Sequence, residues 1–571
     1  MVDTESDVIK GVFMPTEPEA LRSADRVVST VARHGVKYIF GIPGAKVDAI
    51  FDALDDGGPE LIVCRHEQNA AFMAGAMGRL TGVPGVVLVT SGPGTTNLAT
   101  GLLTANTEQD PIVALAGSVQ LSDRLKRTHQ SMDAAAFLST VTKSTVESTD
   151  PDDVSEAVAN AFRAATDEPK GAAAIVLSAS VLKAPTKFEI TDIAPKAQYG
   201  PAAQADIARA AELLKAAKTP VILVGLRGAT DEATAAVRSL LTSTGLPIVE
   251  TFQAAGVVSR ELEDQYLGRV GLFQNQPGDL VLHDADVVLT IGYDAMEYDP
   301  VIWNEDVSRT IIHLDVVSPA MDNHYQPTLE LRGDIAATVD ALVPLLDGVT
   351  VSAEQETRLA AHRAALAAID EEARSTPDSD KGVNPAALVL RMRELLDDDA
   401  TVTVDMGSNY IFTARHFRVY EPRHILFSNG QQTLGVAMPW AIAASLVRPG
   451  TQIVSISGDG GFLFSVQELE TAKRLGVTFT HVIMRDNAYN MVAFQEELKY
   501  GRTSGVQLGD YDSVALAEAF GAKGHKVTTL DEFSTVFTDS LNEPGVSIID
   551  IWVDYSKNKD IAKDLPEDAF E

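Results

Sequence analysis

Short apolar runs recur along this chain, each followed by a glycine-rich or polar turn and then by residues with helical spacing. In the first part, Lys37–Phe40, Leu61–Cys64, Val86–Thr90 and Ile112–Ala116 read as strands. They run into Gly41-Ile42-Pro43-Gly44-Ala45-Lys46, Arg65-His66-Glu67-Gln68-Asn69, Ser91-Gly92-Pro93-Gly94-Thr95-Thr96-Asn97 and Gly117. A second set comprises Pro220–Val224, Pro247–Thr251, Val287–Ile291 and Thr310–Leu314, and a third contains Ile453–Ser457 and Phe479–Met484. The alternation predicts an α/β protein built from three doubly wound parallel sheets. The expected units are residues 21–186, 202–346 and 384–555, flanked by tails at 1–20 and 556–571. Lys187–Pro201 reads as a linker, Ala353–Ala373 as a helix, and Ser375–Asp380 as a polar boundary.

The stretch Val454–Val492 carries the most chemistry. A strand ends in Gly458-Asp459-Gly460-Gly461, and Val466, Leu469, Ala472 and Leu475 then recur on one helical face. Ser465 with Glu468 reads as a capping box, and Gly476 as a C-cap. The next strand ends in Asp486-Asn487-Ala488-Tyr489-Asn490. Parallel α/β sheets bind ligands at the carboxyl ends of their strands, so Asp459 and Asp486 are expected to meet at one edge. Two carboxylates, the amides of Gly460 and Gly461 and a helix N-terminus suit a magnesium-bound diphosphate.

Composition narrows the field. At 571 residues the length suits about three domains. The chain carries 46 basic against 80 acidic residues, a formal charge of −34, which argues against nucleic acid and anionic membranes as partners. Its one cysteine, Cys64, leaves no internal disulfide and fits a reducing compartment. The start, MVDTESDVIKG, has no apolar signal core, and no uncharged apolar run is long enough for a membrane span, so a cytoplasmic protein is expected. No glycine cluster completes G-x-G-x-x-G, which weakens a nicotinamide dehydrogenase reading.

The Gly458-Asp459-Gly460 turn followed by Asp486-Asn487 resembles the thiamine diphosphate motif, and Arg65-His66-Glu67-Gln68-Asn69-Ala70-Ala71 resembles the activating-glutamate segment of the same enzymes. The likeness extends along the chain. Phe40–Lys46, Thr90–Gly94, His129–Asp133, Gln253–Gly256, Gly268–Phe273, Ser428–Thr433 and Tyr489–Ala493 resemble acetolactate synthases of the catabolic, flavin-independent type. The resemblance implies a first domain that binds the cofactor's pyrimidine and a third that binds its diphosphate. It implies homo-oligomers with active sites at a dimer interface, tetramers being usual, so that Glu67 serves the neighbouring chain's cofactor.

Residue by residue, the resemblance makes Asp459, Asp486 and the Ala488 carbonyl ligands of Mg2+. It makes Gly407, Ser408, Gly458, Gly460 and Gly461 diphosphate contacts, with Pro43, Gly44, Gln432, Tyr489 and Asn490 also at the cofactor. Leu434 stands where the family has a bulky apolar residue, often Met, under the bent cofactor. Gln130, Met491, Val492 and Gln495 line the pocket, with Gln130 and Gln495 joining Glu67 as the residues that serve the reaction. Lys46 and His129 are candidates for charge near a substrate carboxylate. FAD is not expected. The implied reaction is the decarboxylating condensation of two pyruvates to 2-acetolactate and CO2 through a thiamine diphosphate enamine, feeding acetoin and butanediol formation. A pyruvate decarboxylase or oxidase is the nearest rival, and a non-catalytic subunit with the same fold another; intact Glu67, Asp459 and Asp486 argue against the latter.

Overall fold

The computed structural model describes residues 21–190, 193, 198–271 and 276–561. The expected tail at 1–20, part of the Lys187–Pro201 linker, Leu272-Phe273 and positions 562–571 lie outside the described residues.

In the first domain, strands β1 (Tyr38–Gly41), β2 (Glu60–Val63), β3 (Gly85–Val89), β4 (Ile112–Ser118), β5 (Ser144–Ser148) and β6 (Ala172–Ser178) form one parallel sheet in the order β2-β1-β3-β4-β6-β5. Helix α1 (Glu67–Thr81) follows β2 directly and ends at Gly82, whose φ of 73° supplies the left-handed cap that side chains resist. In the middle domain β7 (Pro220–Val224), β8 (Ile248–Glu250), β9 (Tyr266–Arg269), β10 (Val287–Ile291), β11 (Thr310–Asp315) and β12 (Leu329–Arg332) are parallel in the order β9-β8-β7-β10-β11-β12. That is the order of dinucleotide-binding sheets. The long helix Ala353–Ser375 then leads to the third domain.

The third sheet contains β13 (Thr401–Val404), β14 (Ile425–Leu426), β15 (Ile453–Gly458), β16 (Phe479–Arg485), β17 (Lys523–Val527) and β18 (Val546–Trp552), all parallel, in the order β14-β13-β15-β16-β18-β17. Taken in chain order within each domain, this repeats the topology of the first sheet. Its helices include α2 (Ser408–His416), α3 (Ala437–Val447), α4 (Asp459–Ser465), α5 (Glu468–Leu475) and α6 (Asn490–Tyr500).

The first and third domains of one chain share a core. Small residues along α1, AAFMAGAMG, let α3 approach closely, and Phe72, Met73, Trp440 and Ala441 are buried together in one cluster. Gly78 shows how tight the packing is: a Cβ there would sit 2.2 Å from the Pro111 carbonyl oxygen. Arg79 crosses the seam, pairing with Asp110 at 2.7 Å, donating to the Phe427 carbonyl at 3.0 Å and lying over the Trp440 ring at 4.9 Å.

One local expectation is corrected here. The Gly-Asp-Gly turn opens a helix of its own, α4, and Ser465 ends that helix instead of capping the next. Gln467 is the N-cap of α5, while Gly476 is its left-handed C-cap as expected, with φ 65°.

Candidate active site

In the third sheet the strand order reverses between β13 and β15, and such a switch point opens a crevice at the carboxyl ends of the strands. Three helices begin there, α2 after Gly407, α4 after Gly458 and α6 after Tyr489. Their unpaired N–H groups and positive dipole ends converge on one cavity of about 430 Å³.

Two carboxylates face it. Asp459, the first residue of α4, is 1% exposed; its Oδ2 accepts from the Asn487 N–H at 2.8 Å and its Oδ1 from Gly460 at 3.1 Å. Asp486 follows β16 and accepts from the Ala488 N–H at 3.2 Å and from the Asn490 amide at 2.5 Å. Burial raises both above the usual carboxylate range; Asp486 is pushed up to about 7, by burial first and by the charge of Asp459 second. Asn487 takes a left-handed φ of 58°, fixed by the Arg485 guanidinium, which donates to its side-chain oxygen at 2.9 Å. Among the described residues no group of three or more His, Cys, Asp and Glu suits a metal ion. A pair of repelling acids at a cavity wall nonetheless fits a divalent cation whose remaining ligands are a carbonyl, phosphate oxygens and water.

The walls beside this pair are built for close approach. A Cβ at Gly460 would lie 2.7 Å from the Tyr489 ring, and one at Gly461 would lie 2.7 Å from the Asp405 carboxylate. Ser408 donates to Asn490 Oδ1 at 2.7 Å, and Asn558 donates to both, at 3.0 and 2.7 Å. Asn558 falls in the expected tail 556–571, yet it is 3% exposed and ties helix Asn558–Ile561 to the site. Asp405 is a further residue of the site. It is buried, pushed up to about 7 by that burial, and accepts from the N–H groups of Met406, Gly435 and Ala437. It thereby holds the turn that presents Leu434. The available signal was a lone Asp just past a strand, as at Asp459.

Gly407, Ser408, Gln432, Leu434, Gly458, Asp459, Gly460, Gly461, Asp486, Ala488, Tyr489, Asn490, Met491, Val492 and Gln495 all line this one cavity. Met491, Val492 and Gln495 lie in the first two turns of α6, and Gly271 and Ile302 of the middle domain line the same cavity.

The first-domain candidates lie elsewhere. Glu67 opens α1 and accepts from the Asn97 amide at 2.9 Å. Gly94 stands beside it, and Gly44 beside Thr90: a Cβ at Gly94 would lie 3.5 Å from Glu67 Oε1 and 3.0 Å from Thr90. Gln130 has a φ of 59° and packs on Gly92. Pro43 and His129 are exposed, and Lys46 lies beside Gly117. None of Pro43, Gly44, Glu67 and Gln130 lines the cavity that holds Asp459.

The middle sheet has a dinucleotide-binding order, and a cavity of about 680 Å³ opens beyond its strand ends, lined by Leu226, Arg227, Thr230, Gln253, Val316 and Asp334. A Cβ at Gly225 would lie 2.5 Å from Tyr293 Cα, and one at Gly292 would lie 2.1 Å from the Gly228 nitrogen. These glycines serve backbone packing. Buried Arg227 spans Asp315 at 2.7 Å and Asp294 at 2.9 Å.

Residues 21–137 match the model of the thiamine pyrophosphate enzyme N-terminal TPP binding domain, residues 207–342 its central domain and residues 405–551 its C-terminal TPP binding domain. The chain is 53% identical over 552 residues to the acetolactate synthase of Bacillus subtilis (strain 168), covering 96% of each. It is 42% identical over 542 residues to the catabolic acetolactate synthase of Raoultella terrigena, covering 95% of this chain and 97% of that one. It is 28% identical over 545 residues to the acetolactate synthase isozyme 2 large subunit of Escherichia coli (strain K12), covering 94% and 96%.

Proposed function

This chain belongs to the thiamine diphosphate-dependent acetolactate synthases, which condense two pyruvates to 2-acetolactate and CO2, and from that membership we propose how its own residues divide the work. The observation that carries the proposal is the meeting of Asp459 and Asp486 with three helix N-termini at one cavity, while Glu67 stands outside it. Asp459, Asp486 and the Ala488 carbonyl would hold Mg2+. Gly407, Ser408, Gly458, Gly460, Gly461 and Asn490 would surround the diphosphate, and Leu434 would pack against the cofactor. Bound thiamine diphosphate supplies the nucleophile and the electron sink that 2-ketoacid decarboxylation requires.

Glu67 would face the aminopyrimidine of cofactor held by a second copy of the chain, where its carboxyl could take up and return a proton, with Pro43 and Gly44 at the same cofactor. Gln130 enters with it from the first domain. Met491, Val492 and Gln495 shape the pocket where the second pyruvate is held for attack. The active unit is a homo-oligomer with sites at a dimer interface, a tetramer by analogy with the family. The catabolic, flavin-independent branch is favoured by the 42% likeness to a catabolic enzyme. That branch places the product ahead of acetoin formation. A cytoplasmic setting is supported by a single, buried cysteine, and no helix among the described residues is long and apolar enough to cross a membrane.

Purified protein supplied with pyruvate, Mg2+ and thiamine diphosphate tests the reading through its products. Acetolactate with CO2, from colourless protein without added FAD, is expected. Acetaldehyde or acetate as the main product would place it with the decarboxylases or oxidases, and stoichiometric flavin would place it in the biosynthetic branch.

A further inference from the structure

Glu468 is expected from the sequence to form a capping box with Ser465, and its carboxylate instead reaches across to another domain. Its side chain is fully buried and leaves the third domain for the first. Oε1 accepts from the backbone N–H of Arg65 at 3.0 Å, from that of His66 at 3.1 Å and from the Asn69 amide at 3.0 Å. Oε2 accepts from the Arg65 N–H at 3.2 Å and from the Thr471 hydroxyl at 2.6 Å. Asn69 keeps its NH2 on this carboxylate although its own Oδ1, buried, is left without a partner among the described residues. Arg474, near the other end of α5, donates to the Val63 carbonyl. One third-domain helix therefore grips the first-domain chain on both sides of Cys64, up to the residue before Glu67.

Backbone N–H groups at a helix start are left over by the helix and need an acceptor. Here the acceptor is a charged group, whose hydrogen bonds are stronger than neutral ones. It fixes the two peptide units that set the direction in which α1, and with it Glu67, begins. His66 is the N-cap in extended backbone, φ −152° and ψ 140°, so the chain turns at this point. Without Glu468 nothing else among the described hydrogen bonds holds the Arg65 and His66 N–H groups.

We propose that Glu468 is a positioning residue for Glu67, holding the activating carboxylate in register with the cofactor it serves; this rests on the reading of Glu67 given above. Glu468 does not line the cavity of Asp459. A displacement of about 1 Å at a reacting group can cost on the order of 100-fold in rate. Glu468→Ala should therefore slow exchange of the thiazolium C2 proton of bound thiamine diphosphate by about 10- to 100-fold. The Kd of the cofactor and the KM of pyruvate should move by less than about threefold, because the cavity around Asp459 is untouched. Glu468→Gln keeps an acceptor toward Arg65, His66 and Asn69, and the Thr471 hydroxyl can turn to accept from the new amide, so most of the exchange rate should return.

The companion measurement uses cofactor-free protein: amide hydrogen exchange at Arg65 and His66 should accelerate in Glu468→Ala and stay unchanged in Glu67→Gln. Thr471→Val, which removes one donor without removing the carboxylate, should give a smaller slowing in the same direction and serves if Glu468→Ala does not fold. A wild-type exchange rate in Glu468→Ala overturns the proposal, as does a loss of cofactor binding that Glu468→Gln shares in full. If Glu67→Gln slows cofactor exchange and Glu468→Ala does not, only the positioning role fails. If Glu67→Gln changes nothing, the assignment of Glu67 fails and this proposal with it.

Discussion

Glu67 and Asp459 are both acids at the end of a strand, yet their surroundings give them different work. Asp459 is enclosed by N–H donors and lies beside a second carboxylate, which suits holding a cation. Glu67 has a single amide partner in Asn97 and a helix start behind it, which leaves it able to trade a proton with a ring nitrogen. An amide cannot make that trade. Glu67→Gln should keep thiamine diphosphate bound yet slow exchange of its C2 proton by about 100-fold or more, the usual scale for general acid–base assistance; exchange in deuterated solvent, quenched and read by NMR, measures it. Gln495 sits one turn along α6 from Met491 and Val492, on the cavity wall. Holding an acceptor ketone ready for attack is a positioning task that can be worth roughly 7–11 kcal/mol. Gln495→Ala should accordingly raise the share of acetaldehyde over acetolactate at saturating cofactor. An unchanged ratio, at any overall rate, removes Gln495 from the acceptor site.

At the scale of elements, legibility followed local chemistry and stopped where tertiary contacts decide. The expected strands Val86–Thr90, Ile112–Ala116 and Val287–Ile291 are rich in β-branched or aliphatic residues, and each has its counterpart. Ala172–Ser178 opens with three alanines and is a strand because the sheet pairs it on both sides; Ser144–Ser148 and Lys523–Val527 are polar edge strands. Ser465 and Glu468 have capping-box spacing, but the donors that claim Glu468 lie in another domain, beyond any local pattern. The Asp486 loop yields a pH prediction at this scale. Its carboxyl, near 7 when folded, lies well above the roughly 3.9 of an unfolded Asp, so between these values the folded, cofactor-free protein binds a proton that the unfolded chain has lost. The stability of that form therefore falls as pH rises from about 4 to about 7, and the penalty is fully present above the folded value. Asp486→Asn cannot ionise and should flatten this fall in denaturation curves taken with a chelator between about pH 5 and about pH 8. Identical slopes for the two proteins would show that Asp486 is already ionised throughout.

The whole molecule carries Glu67 and the cavity of Asp459 on sheets of the same topology and keeps them apart. Packing of α1 against α3, the Arg79 crossing and the Glu468 grip fix the first and third domains of one chain with Glu67 outside the cavity of Asp459. The motifs reveal both halves in the sequence, but their separation depends on how small residues let two helices approach, which no motif records. If a second copy supplies the missing half, a two-fold pair contains two sites, each drawing Glu67 from one chain and Asp459 from the other. Glu67→Gln and Asp459→Ala homodimers are then both impaired at every site. Mixing the two chains and letting subunits exchange makes hybrids in which one site carries both lesions and the other carries neither. With random pairing, half the dimers are hybrids and each has one intact site, so activity should return to roughly a quarter of the wild-type value per chain. Acetolactate formation is followed after co-refolding or co-expression of the two variants, with each variant alone as the baseline. A site completed within a single chain predicts no recovery at any mixing ratio, because every chain then carries one of the two lesions.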